Sequence, residues 1–237
     1  MVDWSMATRK YGQYCGFARA LEIVGGRWTL LVLRDLMVGP KRFTDLQRGL
    51  PGMPSNLLTE RVKELEHSGI VRRRVLPRPT GSVVYELTEY GMELEDTVIR
   101  LGRWGAKLLD EPRPEEILTV DSMIMALRST FHPEAARRLH AGYELHFGEI
   151  IVHADVDRGK LRAAAGPHAA PDLIIEAGPA IKDLMAGVIH PAEAIKNGSV
   201  HLIGDENLLT RFAEIFRIEP MPPANANARL GKRRVEA

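Results

Sequence analysis

The chain has 237 residues, of which 45% are hydrophobic and 27% charged, and its formal net charge at pH 7 is +1. These values exclude wholesale disorder and a collagen-like or low-complexity chain, and the length fits one large domain or two small ones. The longest apolar runs are only a few residues, far from the roughly 18 that span a bilayer, and the first ten residues lack the apolar core of a secretory signal. The one cysteine, Cys15, cannot form an intrachain disulfide. We therefore expect a cytoplasmic protein without a membrane span.

The small net charge hides a gradient along the chain. Residues 9–82 contain 14 Lys and Arg against 6 Asp and Glu, a net of +8, whereas residues 83–112 contain 3 against 7, a net of −4. A local excess of basic charge is typical of a surface that binds a polyanion. Two prolines within residues 110–115 disfavour a helix there. We predict a linker at this point, with domains over 1–112 and 113–220 and a flexible tail over 221–237.

Four short helices are predicted at the start of the first domain. A pattern over residues 17–24 ends at two glycines, and residues 28–37, apolar almost all round, indicate a central core helix. Apolar side chains over residues 43–50 indicate a third helix, and a turn rich in Gly and Pro leads to a fourth over residues 55–68. Two helices joined by a short turn form a helix-turn-helix.

Two β-prone runs follow, over residues 71–75 and 83–87. The segment between them contains Pro, Arg and Gly and predicts a hairpin with a basic tip, the wing of a winged helix. Thr88 can cap a further helix. Its apolar stripe contains Leu94, Val98, Leu101 and Leu108, with Trp104 beside it. We expect this stripe either to pair two copies of the chain or to pack within one copy.

The fourth helix has one apolar and one polar face, and the polar face is the candidate for reading base edges in the major groove of DNA. Its polar side chains are Ser55, Asn56, Thr59, Glu60 and Lys63. The alternative is a solvated helix face. Five basic residues around this helix are predicted to contact phosphates, although those in the hairpin could instead form surface ion pairs. They are Lys41, Arg42, Arg72, Arg74 and Arg78.

These motifs resemble the HxlR family of bacterial winged-helix transcription regulators. The resemblance covers residues 15 to about 107 and includes Gly25-Gly-Arg-Trp-Thr-Leu-Leu, Gly39-Pro-Lys-Arg-Phe, Leu57-Leu-Thr-Glu-Arg-Val-Lys-Glu-Leu-Glu and Val84-Tyr-Glu-Leu-Thr. It implies a homodimer that places two recognition helices on a double-stranded DNA operator. It also implies that Cys15 is a possible redox sensor, with buried inert packing as the alternative. Gly16 stands where we expect the proline of the family.

The second domain is predicted to be an α+β layer in which helices cover an antiparallel-rich sheet. Two short helical patterns are expected over residues 116–140. Strands are predicted over 143–147, 149–155, 161–165, 173–176 and 199–203, and further helices over 179–187, 191–197 and 207–218. The run from Pro191 to Phe216, preceded by Asp172-Leu-Ile-Ile-Glu-Ala, is similar to the sterol-carrier-protein-2 (SCP2-like) fold, in which a helix-covered sheet encloses an apolar cavity.

Adaptable apolar side chains in the second domain are candidates for the wall of a ligand pocket, with plain core packing as the alternative. They are Met123, Leu184, Met185, Ile189, Phe212 and Phe216. Seven of the eight histidines also lie in this domain, but their spacing matches no metal-ligand motif. Common cofactor and hydrolase signatures are missing, so we expect neither an enzyme nor a cofactor.

The sequence therefore predicts a DNA-binding transcriptional regulator whose operator binding responds to an apolar or lipid-like ligand in the second domain. Three alternatives stay open. They are a lipid or acyl carrier whose winged helix contacts proteins, a regulator that senses oxidants through Cys15, and a hydrolase-like enzyme that uses the histidines.

Overall fold

The computed structural model of the chain describes residues 10–79 and 81–221, which form two regions with separate apolar cores. The architecture is mixed α+β, as predicted. Of the predicted tail over 221–237, all but Met221 lies outside the described residues. None of the helices in the described ranges is long and apolar enough to cross a membrane.

The first region is a winged helix-turn-helix built around α2. Its elements are α1 (Gly16–Val24), α2 (Thr29–Val38), α3 (Phe43–Gly49), α4 (Ser55–His67), β1 (Val71–Val75), β2 (Val83–Leu87), α5 (Glu89–Met92) and α6 (Glu95–Ala106). Val32 and Leu33 of α2 are fully buried, because this apolar helix is covered by α3, α6 and β2. Strands β1 and β2 pair antiparallel with Arg72 opposite Glu86.

The chain segment before α3 is fixed to the hairpin. The backbone N–H of Lys41 donates to the carbonyl oxygen of Tyr85 at 2.9 Å, and the N–H of Tyr85 donates back to Lys41 at 2.7 Å. This pair of hydrogen bonds adds a short third strand to the wing. The entrance of the helix-turn-helix therefore keeps a fixed position relative to β2.

The helix predicted to follow Thr88 is divided in two. The Thr88 side chain accepts a hydrogen bond from the N–H of Gly91 at 3.0 Å and donates to the carbonyl oxygen of Gly69 at 2.7 Å. These bonds orient α5 along the start of β1, and the chain turns before α6 begins. Gly91 is also a poor helix former. The apolar stripe is divided accordingly: Val98 is buried, whereas Leu101, Trp104 and Leu108 are exposed.

The second region is a five-stranded sheet covered on one face by helices. Its elements are α7 (Val120–Thr130), β3 (His140–Phe147), β4 (Ile150–Asp157), β5 (Lys160–Ala165), β6 (Leu173–Glu176), α8 (Ala180–Met185), α9 (Pro191–Lys196), β7 (His201–Gly204) and α10 (Asn207–Ile215). The strand order is β5-β4-β3-β6-β7, and β3 and β6 are parallel whereas the other neighbours are antiparallel. Side chains such as Tyr143 and Leu145 alternate onto the covered face and are fully buried.

The prediction of two short helices over residues 116–140 was wrong, because this range contains one helix and a series of turns. Thr119 begins α7 by a capping box, in which its side chain and that of Ser122 each accept a hydrogen bond from the backbone N–H of the other. The helix ends before Phe131, whose extended backbone leads into Pro133. A proline at that point cannot continue the helical hydrogen bonds.

Helix α7 belongs to both cores. Ile124 and Leu127 pack in the core of the second region, whereas Met125 packs in the core of the first. The guanidinium of Arg128 donates to the carbonyl oxygen of Met37 at 2.9 Å. Gly102 of α6 lies against α7 so closely that a Cβ there would be 2.6 Å from Ser129 Oγ. The two regions are therefore packed together even though exposed chain separates α6 from α7.

Candidate nucleic-acid interface

Helix α4 presents a polar surface on an apolar scaffold. Leu58, Val62 and Leu65 are at most 2% exposed and anchor the helix in the first core. The polar face carries the five side chains predicted to read bases, and all five are exposed: Ser55, Asn56, Thr59, Glu60 and Lys63. The helix axis is therefore fixed by burial while its polar side chains are accessible to a partner. Their contacts with bases stay a prediction.

Lys41 and Arg42, both predicted to contact phosphates, differ in their surroundings. Lys41 Nζ lies 2.7 Å from Asp121 Oδ1 of α7, in an ion pair with both side chains mostly buried. Arg42 is exposed at the start of α3, and its backbone N–H donates to Asp45 Oδ2 at 3.1 Å. Lys41 thus has a protein partner from the second region, which the sequence analysis did not predict.

In the hairpin, Arg72 and Arg74 form surface ion pairs, which were the predicted alternative to contact with phosphates. The Nε atoms of Arg72 and Arg74 each donate at 2.8 Å to a different carboxylate oxygen of Glu86. Hydrogen bonds from Arg74 and Arg72 hold the pKa of Glu86 below its ordinary value, although desolvation acts in the opposite direction. Arg78, near the hairpin tip, is exposed.

Arg73 is a basic residue that the sequence analysis left out. It is exposed on β1 and lies opposite Tyr85, on the other face of the hairpin from Glu86. The alternation of side chains along a strand could have identified it, because residue 73 must point away from residues 72 and 74. The same register could have identified Glu86 as the partner of Arg72. No local pattern indicated Asp121.

Comparison with known proteins assigns the sequence of the first region to a family. Residues 23–113 match the HxlR-like helix-turn-helix family. The transcriptional regulator YkvN of Bacillus subtilis is 37% identical over 101 residues, which are 43% of this chain and 86% of YkvN. YodB of the same organism is 40% identical over 86 residues, which are 36% of this chain and 77% of YodB. The structure of the redox regulator HypR in its oxidised form is 34% identical, with a TM-score of 0.38, and the match covers 40% of this chain and 99% of that one.

The chain belongs to the HxlR family. It is a DNA-binding transcriptional regulator, and α3, α4 and the hairpin are its helix-turn-helix and wing. The HxlR match ends at residue 113, so α7 and the whole five-stranded sheet lie beyond it. Lys41 is therefore inside the matched residues, and its partner Asp121 is outside them.

Cys15, the candidate redox residue, is exposed at the start of α1. The backbone N–H groups of Ala18 and Phe17 lower the pKa of its thiol. A thiol at a helix N-terminus is the environment in which a thiolate is stabilised. The structure thus places Cys15 at the surface, whereas the alternative had been an inert cysteine in the core.

The six candidate pocket residues lie in the core of the second region. The sixth, Ile189, is partly buried against this core. The other five are at most 8% exposed, namely Met123, Leu184, Met185, Phe212 and Phe216. The rings of Phe212 and Phe216 have centroids 4.7 Å apart, and Tyr143 meets Phe212 edge to face at 5.5 Å. In this arrangement the side chains fill the space between sheet and helices. A role as the wall of a cavity stays a prediction.

Histidines on the opposite face of the sheet bind carboxylates and carbonyl groups. His146 Nε2 lies 2.6 Å from Glu144 Oε1, and His168 Nε2 lies 2.8 Å from Asp155 Oδ1. Burial would raise the pKa of Glu144, but the hydrogen bonds from the His146 ring and the His168 backbone lower it overall. Among the residues that the structure describes, no group of three His, Cys, Asp or Glu is arranged to hold a metal ion.

Proposed function

We propose that this HxlR-family regulator binds an operator as a homodimer and that the second region adjusts how well it binds. The observation that carries the proposal is the exposed polar face of α4 on its buried scaffold. Asn56 can donate to and accept from an adenine edge, Glu60 can accept from a cytosine amino group, and Lys63 can bind guanine or a phosphate. It would act by binding rather than catalysis, in the cytoplasm, where bacterial operators lie.

Exposed apolar side chains on α1 and α6 support the homodimer. Phe17, Leu101 and Trp104 are 73%, 47% and 64% exposed. Shortly after the end of α6, Leu108 and Leu109 are 54% and 59% exposed. A monomer would leave this apolar surface in water, whereas a two-fold contact would bury it. A dimer would also place two α4 helices on a two-fold operator.

The second region supports a ligand-binding role through its architecture. Helices α7, α8 and α10 cover one face of the sheet, in keeping with the SCP2-like fold that the sequence resembles. An apolar or lipid-like ligand would have to enter among Met185, Phe212 and Phe216 by separating them. It would change DNA binding only if it bound one arrangement of α7 more tightly than another. Native mass spectrometry of the protein as purified tests this role, because a retained lipid would add a defined mass.

DNA binding by α4 is tested with operator fragments selected from random DNA and measured by fluorescence anisotropy. Asn56→Ala or Lys63→Ala should weaken specific binding by about 1–3 kcal/mol if each side chain contacts a base. Lys196→Ala is the matched control, because Lys196 is exposed on α9 in the second region. An affinity that is insensitive to salt would contradict operator binding and favour the carrier alternative.

A second candidate function, oxidant sensing, is favoured by the exposed Cys15 thiol and its lowered pKa. Hydrogen peroxide would convert the thiol to a sulfenic acid with release of water. If this reaction controls the operator affinity, peroxide should change the affinity of the natural chain and leave that of Cys15→Ser unchanged. An equal response of both proteins would remove Cys15 from the mechanism.

A further inference from the structure

The ion pair between Lys41 and Asp121 joins the DNA-binding region to the second region. Lys41 directly precedes Arg42 and α3, and Asp121 is the second residue of α7. Nζ of Lys41 and Oδ1 of Asp121 are 2.7 Å apart, and their side chains are 19% and 12% exposed. A pair so shielded from water is held more firmly than a pair on the open surface.

A second carboxylate, that of Asp35, lies close to this ion pair and is itself paired with Arg34, whose Nε donates to Asp35 Oδ1 at 2.8 Å. Asp35 of α2 is fully buried, and its Oδ2 has no hydrogen-bond partner among the described residues. A Cβ on Gly49 would lie 2.5 Å from that oxygen and 3.9 Å from Asp121 Oδ2, so both carboxylates converge on the same glycine. Withdrawal of the Lys41 ammonium would leave these two negative groups facing each other with less compensation.

Lys41 is also placed where a phosphate would attract it. Its backbone is hydrogen-bonded to Tyr85 of the wing, so only the side chain can move from one anionic partner to another. The start of a helix repels a cation and attracts an anion, so the ammonium at the entrance of α3 needs a negative group. In the structure Asp121 provides that group. A DNA phosphate along the helix-turn-helix would compete with Asp121 for the Lys41 ammonium.

We propose that Asp121 is a positioning residue for DNA binding: it holds the Lys41 ammonium and thereby withholds one phosphate contact from the winged helix. Lys41 belongs to the part of the chain that matches the HxlR family, and Asp121 belongs to the region after it. A displacement of α7 from α2 and α3 releases Lys41 to the DNA. The inference rests on the proposed binding of DNA by α4 and the wing, and adds a specific route by which the second region changes it.

The test compares Asp121→Asn with Asp110→Asn in the full chain, because Asp110 is exposed between α6 and α7 and the two variants lose the same charge. DNA affinity is measured from 50 to 200 mM salt. Asp121→Asn should bind DNA about two- to fivefold more tightly than the natural chain at low salt. Its plot of log affinity against log salt should be steeper by about 0.9, the slope of one added phosphate contact.

Lys41→Gln provides the decisive pair of measurements. In the natural chain it should leave the salt slope unchanged, whereas in the Asp121→Asn background it should return the slope to the natural value. Asp121→Glu should keep the natural slope, because a carboxylate can still reach Lys41. A merely structural role of Asp121 would lower thermal stability and DNA affinity in the Asn variant without steepening the slope.

Two outcomes overturn the inference. One is an equal slope for Asp121→Asn and Asp110→Asn, and the other is a loss of about one contact on Lys41→Gln in the natural chain. If Asp121→Asn does not fold, the salt slope of Lys41→Gln alone decides whether Lys41 contacts a phosphate in the natural chain. Failure of the natural chain to bind DNA in a salt-dependent way would instead contradict the proposed function.

Discussion

Helix α4 and the wing both carry basic residues that the sequence predicts to contact DNA, but two of those in the wing are paired with a carboxylate of the same chain. Lys63 of α4 is exposed on the polar face of its helix. Arg72 and Arg74 of the wing share the carboxylate of Glu86, and Lys41 beside the wing is paired with Asp121. The difference shows that a count of basic residues overstates the charge available to DNA, because carboxylates of the same chain occupy part of it.

The largest expected effect separates the two faces of α4. Leu58→Ala should lower the free energy of unfolding by about 2–5 kcal/mol, because it removes a fully buried side chain and leaves a cavity. Lys63→Ala, at an exposed position of the same helix, should change it by less than about 0.5 kcal/mol. Urea denaturation followed by circular dichroism measures both values. Equal losses would show that the polar face of α4 is packed in the folded protein.

A smaller effect concerns the buried carboxylate of Asp35 in α2. Desolvation raises the pKa of Asp35 to about 6, opposed by Arg34 and Lys41 and reinforced by Asp121. A carboxyl whose pKa is raised in the folded state favours folding at low pH and loses that contribution as the pH rises through about 6. This group should therefore contribute about 1 kcal/mol more stability at pH 5 than at pH 8.

Asp35→Asn tests that contribution, because an amide does not titrate. In urea denaturation, the free energy of unfolding of the natural chain should fall between pH 5 and pH 8 by about 1 kcal/mol more than that of the variant. Asp110→Asn controls for the loss of charge at an exposed position. Identical pH dependence in Asp35→Asn and the natural chain would show that Asp35 is ionised at both pH values.

The smallest effect tests whether Glu86 restrains the wing. Glu86→Gln should raise DNA affinity by less than about 1 kcal/mol and steepen its salt dependence, because two arginines lose their anionic partner. Glu89→Gln is the matched control, since Glu89 is exposed at the start of α5. If the two variants have equal salt slopes, neither Arg72 nor Arg74 gains a phosphate contact when released.

Local patterns predicted most of the elements. The strands at residues 71–75 and 83–87 have the bounds that β-prone composition and the intervening turn indicated. Helix α4 was also predicted well, because Leu58, Val62 and Leu65 recur at helical spacing and a glycine follows its end. In these segments local propensity and burial favour the same structure, which is why periodicity was sufficient.

Features that depend on distant parts of the chain could not be predicted in this way. Lys41 and Asp121 are 80 residues apart, and no spacing rule connects them. The position of α5 depends on the bonds of Thr88 to the carbonyl oxygens of Gly69 and Ile70, which lie on a distant segment of the chain. The family resemblance indicated the helix-turn-helix and wing but not the partner of Lys41, because Asp121 lies outside the matched residues.

The position of Met125 has a consequence for cleavage of the chain. Residues 108–118 are exposed, and a protease could cut them without touching either core. Met125 would still fill its place among the side chains of the first region, and Arg128 would still bind the Met37 carbonyl. The two fragments should therefore elute together from a size-exclusion column, since the contacts of α7, rather than the peptide connection, hold the two regions together.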